Sequence, residues 1–312
     1  MPSLATYGVN TFLRLFVRRA LGRAPFTEAT LEGHRATLLK AARRGRWPAS
    51  VVLTETTLGN RPTERLAPNA PELANHAVLY LHGGGYIVGA PALYRPLLGT
   101  LAERLGAPLY APAYRLAPEH PYPAALDDAY AAYQALLAQG FEGSRLALMG
   151  DSAGGNLVLA LLQRLRDEGA PLPQSAVLLS PWADLAGTLP SRRTQAKAEA
   201  MLPPERLEEA ARAYAGALPL TDPRLSVIRG DFTGLPPLMV HVGTAEILRD
   251  DSRAVAAAAE HAGVPCTLTE WPRQPHVFPA FFEILPEGRA ALEACAAFIL
   301  RQWLKRNAPL VS

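Results

Sequence analysis

Short runs with almost no polar residue recur along the chain, separated by stretches of helical periodicity. AVLYL (77–81) is the purest, and PLYAP (108–112), RLALM (145–149), AVLLS (176–180) and PLMVHV (237–242) repeat its character. A strand that is apolar throughout must bury both faces, which excludes a sheet open to water on one side. Helical stretches fall around 93–105, 123–139, 153–168 and 252–263, and a last one near 287–306 closes the chain. This alternation predicts an α/β fold with a mostly parallel central sheet and helices on both faces. SVVLTETTL (50–58) alternates like an added strand, and CTLTEW (266–271) reads as an edge strand able to pair with another subunit, which leaves a homodimer open.

Two regions depart from that rhythm. From about residue 9, Phe12, Leu13, Phe16, Val17 and Leu21 recur at helical spacing, with Arg14, Arg18, Arg19 and Arg23 mostly opposite. A helix packed on its own protein is the expectation, with a membrane-surface helix as the alternative. A second helix follows near 27–44. Between Leu185 and Gly230 no strand signal stands out, only Ala-rich helical sequence and prolines. It reads as an insertion over the carboxyl edge of the sheet, where open α/β folds bind ligands. The expected plan is N-terminal cap helices over 1–47, core over 48–185, a cap insertion over 186–230, and core again over 231–312.

Composition narrows the function classes. With 312 residues, 49% apolar, the chain can bury a large core. Charged residues are 19% and the net charge is +3, without a dense Lys/Arg stripe, so nucleic acid is not an expected partner. Arginines interrupt the N-terminal apolar stretch, which argues against a secretory signal. No apolar run approaches the roughly 18 residues of a spanning helix, so a soluble, cytoplasmic protein without stable membrane insertion is expected. Cys266 and Cys295 lack CxxC spacing and read as buried free thiols.

The chemistry concentrates at three places. RLALM runs into Gly150-Asp151-Ser152-Ala153-Gly154, and a helix follows at once. This G-x-S-x-G turn between strand and helix lifts a serine hydroxyl above the sheet, with helix N-terminal amides behind it. AVLYL ends in His82-Gly83-Gly84-Gly85-Tyr86, where bare backbone amides can face an oxyanion. Gly83 and Gly84 with Ala153 are the expected donors. The spacing matches neither a P-loop nor a dinucleotide fingerprint. A serine needs a base, and of seven histidines only His276 lies in a loop after the final strand. The chain order Ser, acid, His requires one there. His34, His76, His82, His120, His241 and His261 sit in the cap, loops, a strand or a helix face.

Taken together, HGGGY (82–86), YRLAPEHPYPAALDD (114–128), GDSAGGN (150–156), SPWADL (180–185) and PHVF (275–278) resemble the hormone-sensitive-lipase-like family of α/β-hydrolases, in its microbial carboxylesterase branch. The similarity runs from about residue 77 to the C-terminus in consistent order. It implies an α/β-hydrolase fold with a helical cap, and a serine esterase for short- to medium-chain acyl esters that uses neither metal nor cofactor. It also implies Ser152 as nucleophile and His276 as base, with Tyr114, Arg115, Asp128 and Asp151 as structural braces. The family places an acid, usually Asp, in a DxLxD-like run after the penultimate strand. Here Glu246 holds the first place and Asp250 the second. Glu246 is the expected acid and Asp250 the runner-up. Asp250 and Asp251 otherwise read as caps of the next helix. A lactonase, an amidase or a deacetylase using the same residues stays open, as does an idle ligand-binding protein on the same fold.

Overall fold

A computed structural model of the chain describes residues 2–43 and 45–305. Eight strands form one sheet in the order β1-β2-β4-β3-β5-β6-β7-β8. They are β1 (Val51–Leu58), β2 (Arg61–Pro68), β3 (Ala77–Leu81), β4 (Leu109–Pro112), β5 (Leu146–Asp151), β6 (Ser175–Leu179), β7 (Leu238–Gly243) and β8 (Cys266–Trp271). From β4 to β8 every neighbouring pair is parallel, and β1 and β2 add an antiparallel edge. All five apolar runs form strands, and CTLTEW is the edge strand its pattern suggests.

Strand β2 is missing from the sequence reading. RPTERLAP alternates poorly and carries two prolines, which hid it. The overlooked signal is Gly59-Asn60, both with positive φ (55° and 64°), the two-residue turn that joins β1 to β2.

Helices cover both faces because strand side chains alternate. Val78, Tyr80, Ala147, Met149, Val177 and Leu179 point to a layer containing α4 (Arg95–Leu105) and α10 (Pro286–Leu304). Leu79, Leu81, Leu148, Leu178 and Val240 point to the opposite layer, with α5 (Ala124–Ala138), α6 (Ala153–Asp167) and α9 (Arg249–His261). Parallel strands deliver their carboxyl ends to one edge. The chain passes from β3 to β4 on one side and returns to β5 on the other, so the strand order reverses between β3 and β5, the place where open α/β sheets bind ligands.

Over that edge lie the N-terminal helices α1 (Leu4–Phe12), α2 (Arg19–Gly22) and α3 (Glu28–Ala42), together with α7 (Ser191–Thr194) and α8 (Pro204–Ala215) from the insertion. The first helix begins at Leu4 rather than near residue 9, and a π-helical stretch, Leu13–Arg18, links it to α2. Its expected apolar stripe divides. Leu13, with Val9, packs against Phe278, Leu285 and Ala291, whereas Phe12 and Phe16 face outward. Arg14 donates to the Lys197 and Ala198 carbonyls, and the Phe26 amide donates to Glu209, joining this segment to the insertion.

Candidate active site

The elbow at Ser152 is a consequence of crowding. The residue holds φ 51° and ψ −120°, a conformation that side chains rarely adopt. Hydrogen bonds from Ser152 N–H to the Leu179 carbonyl (2.9 Å) and from Trp182 N–H to the Ser152 carbonyl (3.0 Å) hold it there. A Cβ on Gly154 would lie 1.9 Å from the Leu81 carbonyl oxygen, so only glycine lets α6 start this close to β3. The turn aims the hydroxyl above the carboxyl edge of β5.

Three of the expected residues meet there. Ser152 Oγ lies 2.9 Å from His276 Nε2, and His276 Nδ1 lies 2.8 Å from Glu246 Oε2. With a carboxylate opposite it, Nδ1 carries the proton and Nε2 accepts from the serine hydroxyl. Ser152 is 6% exposed, His276 3% and Glu246 fully buried, so the pairings are shielded from water. Burial opposes a proton on His276, but the hydrogen bond and charge of Glu246 outweigh it and raise the imidazole above its usual range. The same burial pushes the Glu246 carboxyl up, against the pull of His276.

The remaining oxygen of Glu246 accepts from Ser180 Oγ (2.8 Å) and the Gly243 amide (2.5 Å). Ser180 Oγ accepts in turn from the Val277 amide at 3.1 Å. Val277 sits in the left-handed region at φ 51°, unusual for a β-branched residue, directly after His276. Glu199, 1% exposed, accepts from the Ile247 amide (3.1 Å) and from the Met201 and Leu202 amides. Its charge favours the proton on both Glu246 and His276. Sequence reasoning missed Ser180 and Glu199. Ser180 lies in a motif quoted for the family resemblance, but nothing in the spacing ties Glu199 to the site.

Asp250 lies apart from this chain of contacts. It accepts from the Ser191 amide at 2.8 Å and pairs with Arg253 at 3.3 Å. Asp251 accepts from the Ala183 and Asp184 amides (3.0 and 2.9 Å), and burial pushes its carboxyl up to about 7. The expectation that both cap their own helix is therefore corrected. They hold other segments' amides, because residues 183–191 pass over the start of α9 with donors of their own to satisfy.

The glycine run needs a second correction. Gly83 N–H donates to Asp151 Oδ1 at 2.8 Å, and the Tyr80 and Tyr94 hydroxyls also donate to that carboxylate. An amide committed to a buried carboxylate does not turn to an oxyanion, so Gly83 is not an available donor. Among the described residues the amides of Gly84, Gly85 and Ala153 donate to no other group. Gly84 must be glycine, since at φ 119° a Cβ would lie 2.1 Å from the Val88 carbonyl oxygen. His82 braces the loop, its Nδ1 2.8 Å from the Gly83 carbonyl oxygen and its ring stacked on Tyr114. Tyr114 O–H donates to the His82 carbonyl, and Arg115 pairs with Asp128.

Above the glycine loop, Tyr86 stacks on Tyr214 of α8 with centroids 3.6 Å apart. Two clefts of about 690 Å³ lie elsewhere, one beside the N-terminal arginines and one along Glu55–Thr57. Among the described residues no group of three or more His, Cys, Asp or Glu is placed to hold a metal ion.

A family model described as the α/β hydrolase fold matches residues 78–280. An acetyl-hydrolase of Streptomyces hygroscopicus is 44% identical over 243 residues, covering 78% of this chain and 81% of its own. An ethyl acetate hydrolase of Pseudomonas putida is 35% identical over 232 residues, covering 71% and 72%. The crystal structure of an esterase from the bacterial hormone-sensitive lipase family superposes with a TM-score of 0.90 at 36% identity, covering 97% of this chain and 99% of that one.

Proposed function

The chain belongs to the hormone-sensitive-lipase-like family of α/β-hydrolases and is a carboxylic-ester hydrolase; from that premise we propose that Ser152, His276 and Glu246 hydrolyse short- to medium-chain acyl esters through an acyl-enzyme. The observation that carries the proposal is the unbroken relay from the serine hydroxyl to His276 Nε2 and from Nδ1 to Glu246.

Ser152 Oγ attacks the ester carbonyl carbon while His276 Nε2 takes its proton. Glu246 holds the imidazole in the tautomer that can accept, and stabilises the imidazolium that forms. The developing oxyanion is met by the Gly84, Gly85 and Ala153 amides, each such donor contributing about 3 kcal/mol in the transition state. His276 then protonates the departing alkoxide. Water enters, gives its proton to His276 and attacks the acyl carbon, and the carboxylic acid leaves as Ser152 recovers its proton. The names of the relatives, an acetyl-hydrolase and an ethyl acetate hydrolase, support the short acyl range.

Ser152→Ala should abolish turnover of p-nitrophenyl acetate while leaving circular dichroism unchanged. Turnover at the wild-type rate would sink the assignment. A series of p-nitrophenyl esters of rising chain length, with a lactone and an anilide added, measures the acyl preference. It also separates an esterase from a lactonase or an amidase.

A further inference from the structure

The first helical segment carries two apolar faces, and among the described residues only one of them is buried. Thr6, Val9 and Leu13 are buried, and the helix is pinned by Ser3 donating to Glu287, Gln274 to Thr6 and Asn10 to the Arg273 carbonyl. Its rotation is therefore set. The opposite side leaves Leu4 90% exposed, Phe12 55% and Phe16 62%, with Tyr7 and Leu15 also exposed. The Phe12 and Phe16 rings sit 5.1 Å apart and form one aromatic ridge. Beside it runs an open cleft of about 690 Å³, walled by Arg14, Arg18, Arg19, Arg23 and Lys197, with Glu205 also on its wall.

We infer that this face docks on the surface of an anionic phospholipid bilayer. Apolar and aromatic side chains beside a row of arginines match an interfacial helix, whose rings enter the headgroup boundary while its cations meet phosphates. A second copy of the chain fits less well. Pairing the face with itself would bring two arginine clusters together with little acid to offset them. The docking is peripheral, since among the described residues no helix is long and apolar enough to cross a membrane. The inner face of the same helix packs on Phe278, two residues beyond His276, so the docked helix would lie over the loop that carries the proposed base.

The test uses the full chain with sedimenting vesicles of phosphatidylcholine alone, or of phosphatidylcholine mixed with phosphatidylglycerol. Wild type should bind the mixed vesicles more than about tenfold tighter than the neutral ones. Phe12→Ser/Phe16→Ser should weaken binding to the mixed vesicles by about tenfold or more. Arg19→Gln/Arg23→Gln should remove the preference for the anionic lipid, at roughly fivefold per arginine. Both variants should hydrolyse a soluble ester in vesicle-free buffer at the wild-type rate, because none of these side chains touches the proposed site. Three results would overturn the inference: no sedimentation with the anionic vesicles, equal binding to both kinds, or variants that bind like wild type. Light scattering that shows the phenylalanine variant dissolving a dimer, with no vesicle binding by wild type, would overturn it in favour of an interface between copies.

Discussion

Glu246 and Asp250 lie close along the chain, and their neighbours divide their work. Glu246 touches the imidazole, whereas Asp250 touches Ser191 and Arg253. Glu246→Gln should lower kcat about 100-fold or more, because the amide no longer selects the accepting tautomer or balances the imidazolium. Asp250→Asn should leave kcat within a few-fold and act on stability instead. The opposite pattern would pass the role to Asp250. The pH profile gives an independent reading. As the proposed base, His276 must be neutral to accept the serine proton, and its raised pKa should place the acid limb of kcat/KM above the ordinary imidazole range. Removing the Glu246 charge should move that limb to lower pH in the residual activity, since the proton on His276 loses its main support. An unmoved limb would mean that another group titrates.

At the scale of elements, the site is held by loops that grip one another after each parallel strand. Asp251, at the start of α9, holds the Ala183 and Asp184 amides that follow β6. Asp251→Ala would leave both donors buried without a partner and should cost about 3 kcal/mol in urea unfolding. Asp251→Asn keeps an oxygen acceptor and should cost far less. The pH dependence of this pair follows from the raised carboxyl. Between the unfolded value near 4 and the folded value of about 7, the native state binds the proton more tightly, so this group's contribution to stability falls as pH rises. Asparagine does not titrate, so its stability relative to wild type should improve across that window. A flat difference between the two proteins from pH 4 to 7 would contradict it.

Across the whole molecule, hydrogen bonds from Arg14 and Phe26 join the N-terminal segment to the insertion, and we read the two as one covering layer over the carboxyl edge. Leu13, buried against Phe278 and Leu285, belongs to the layer's underside. Leu13→Ala should lower unfolding stability by about 2–4 kcal/mol, the usual cost of a cavity left by a truncated core leucine. Phe12→Ser, on the outward side of the adjoining turn, should change it by less than about 0.5 kcal/mol. Equal losses would mean that both side chains are packed alike. Ser152 and His276 are almost inaccessible although both stand on loops at a sheet edge.

Much of this was legible in the sequence because it depends on local spacing. The apolar runs declared the parallel strands, and Gly150–Gly154 between a strand and a helix declared the elbow. His276 followed from chain order and its place after the last strand, and Glu246 from the family resemblance, with Asp250 as its rival. Strand β2 stayed hidden because its pairing compensates for a weak pattern, and only the Gly59-Asn60 turn pointed to it. The rest required three dimensions. That Gly83 gives its amide to Asp151 depends on two strand ends meeting side by side. That Glu199 reaches the loop of Glu246 depends on how the insertion folds back. Which face of the first helix turns inward was decided by Gln274 and Phe278, far along the chain. Periodicity states that a helix has an apolar face, but when two faces qualify, only packing chooses between them.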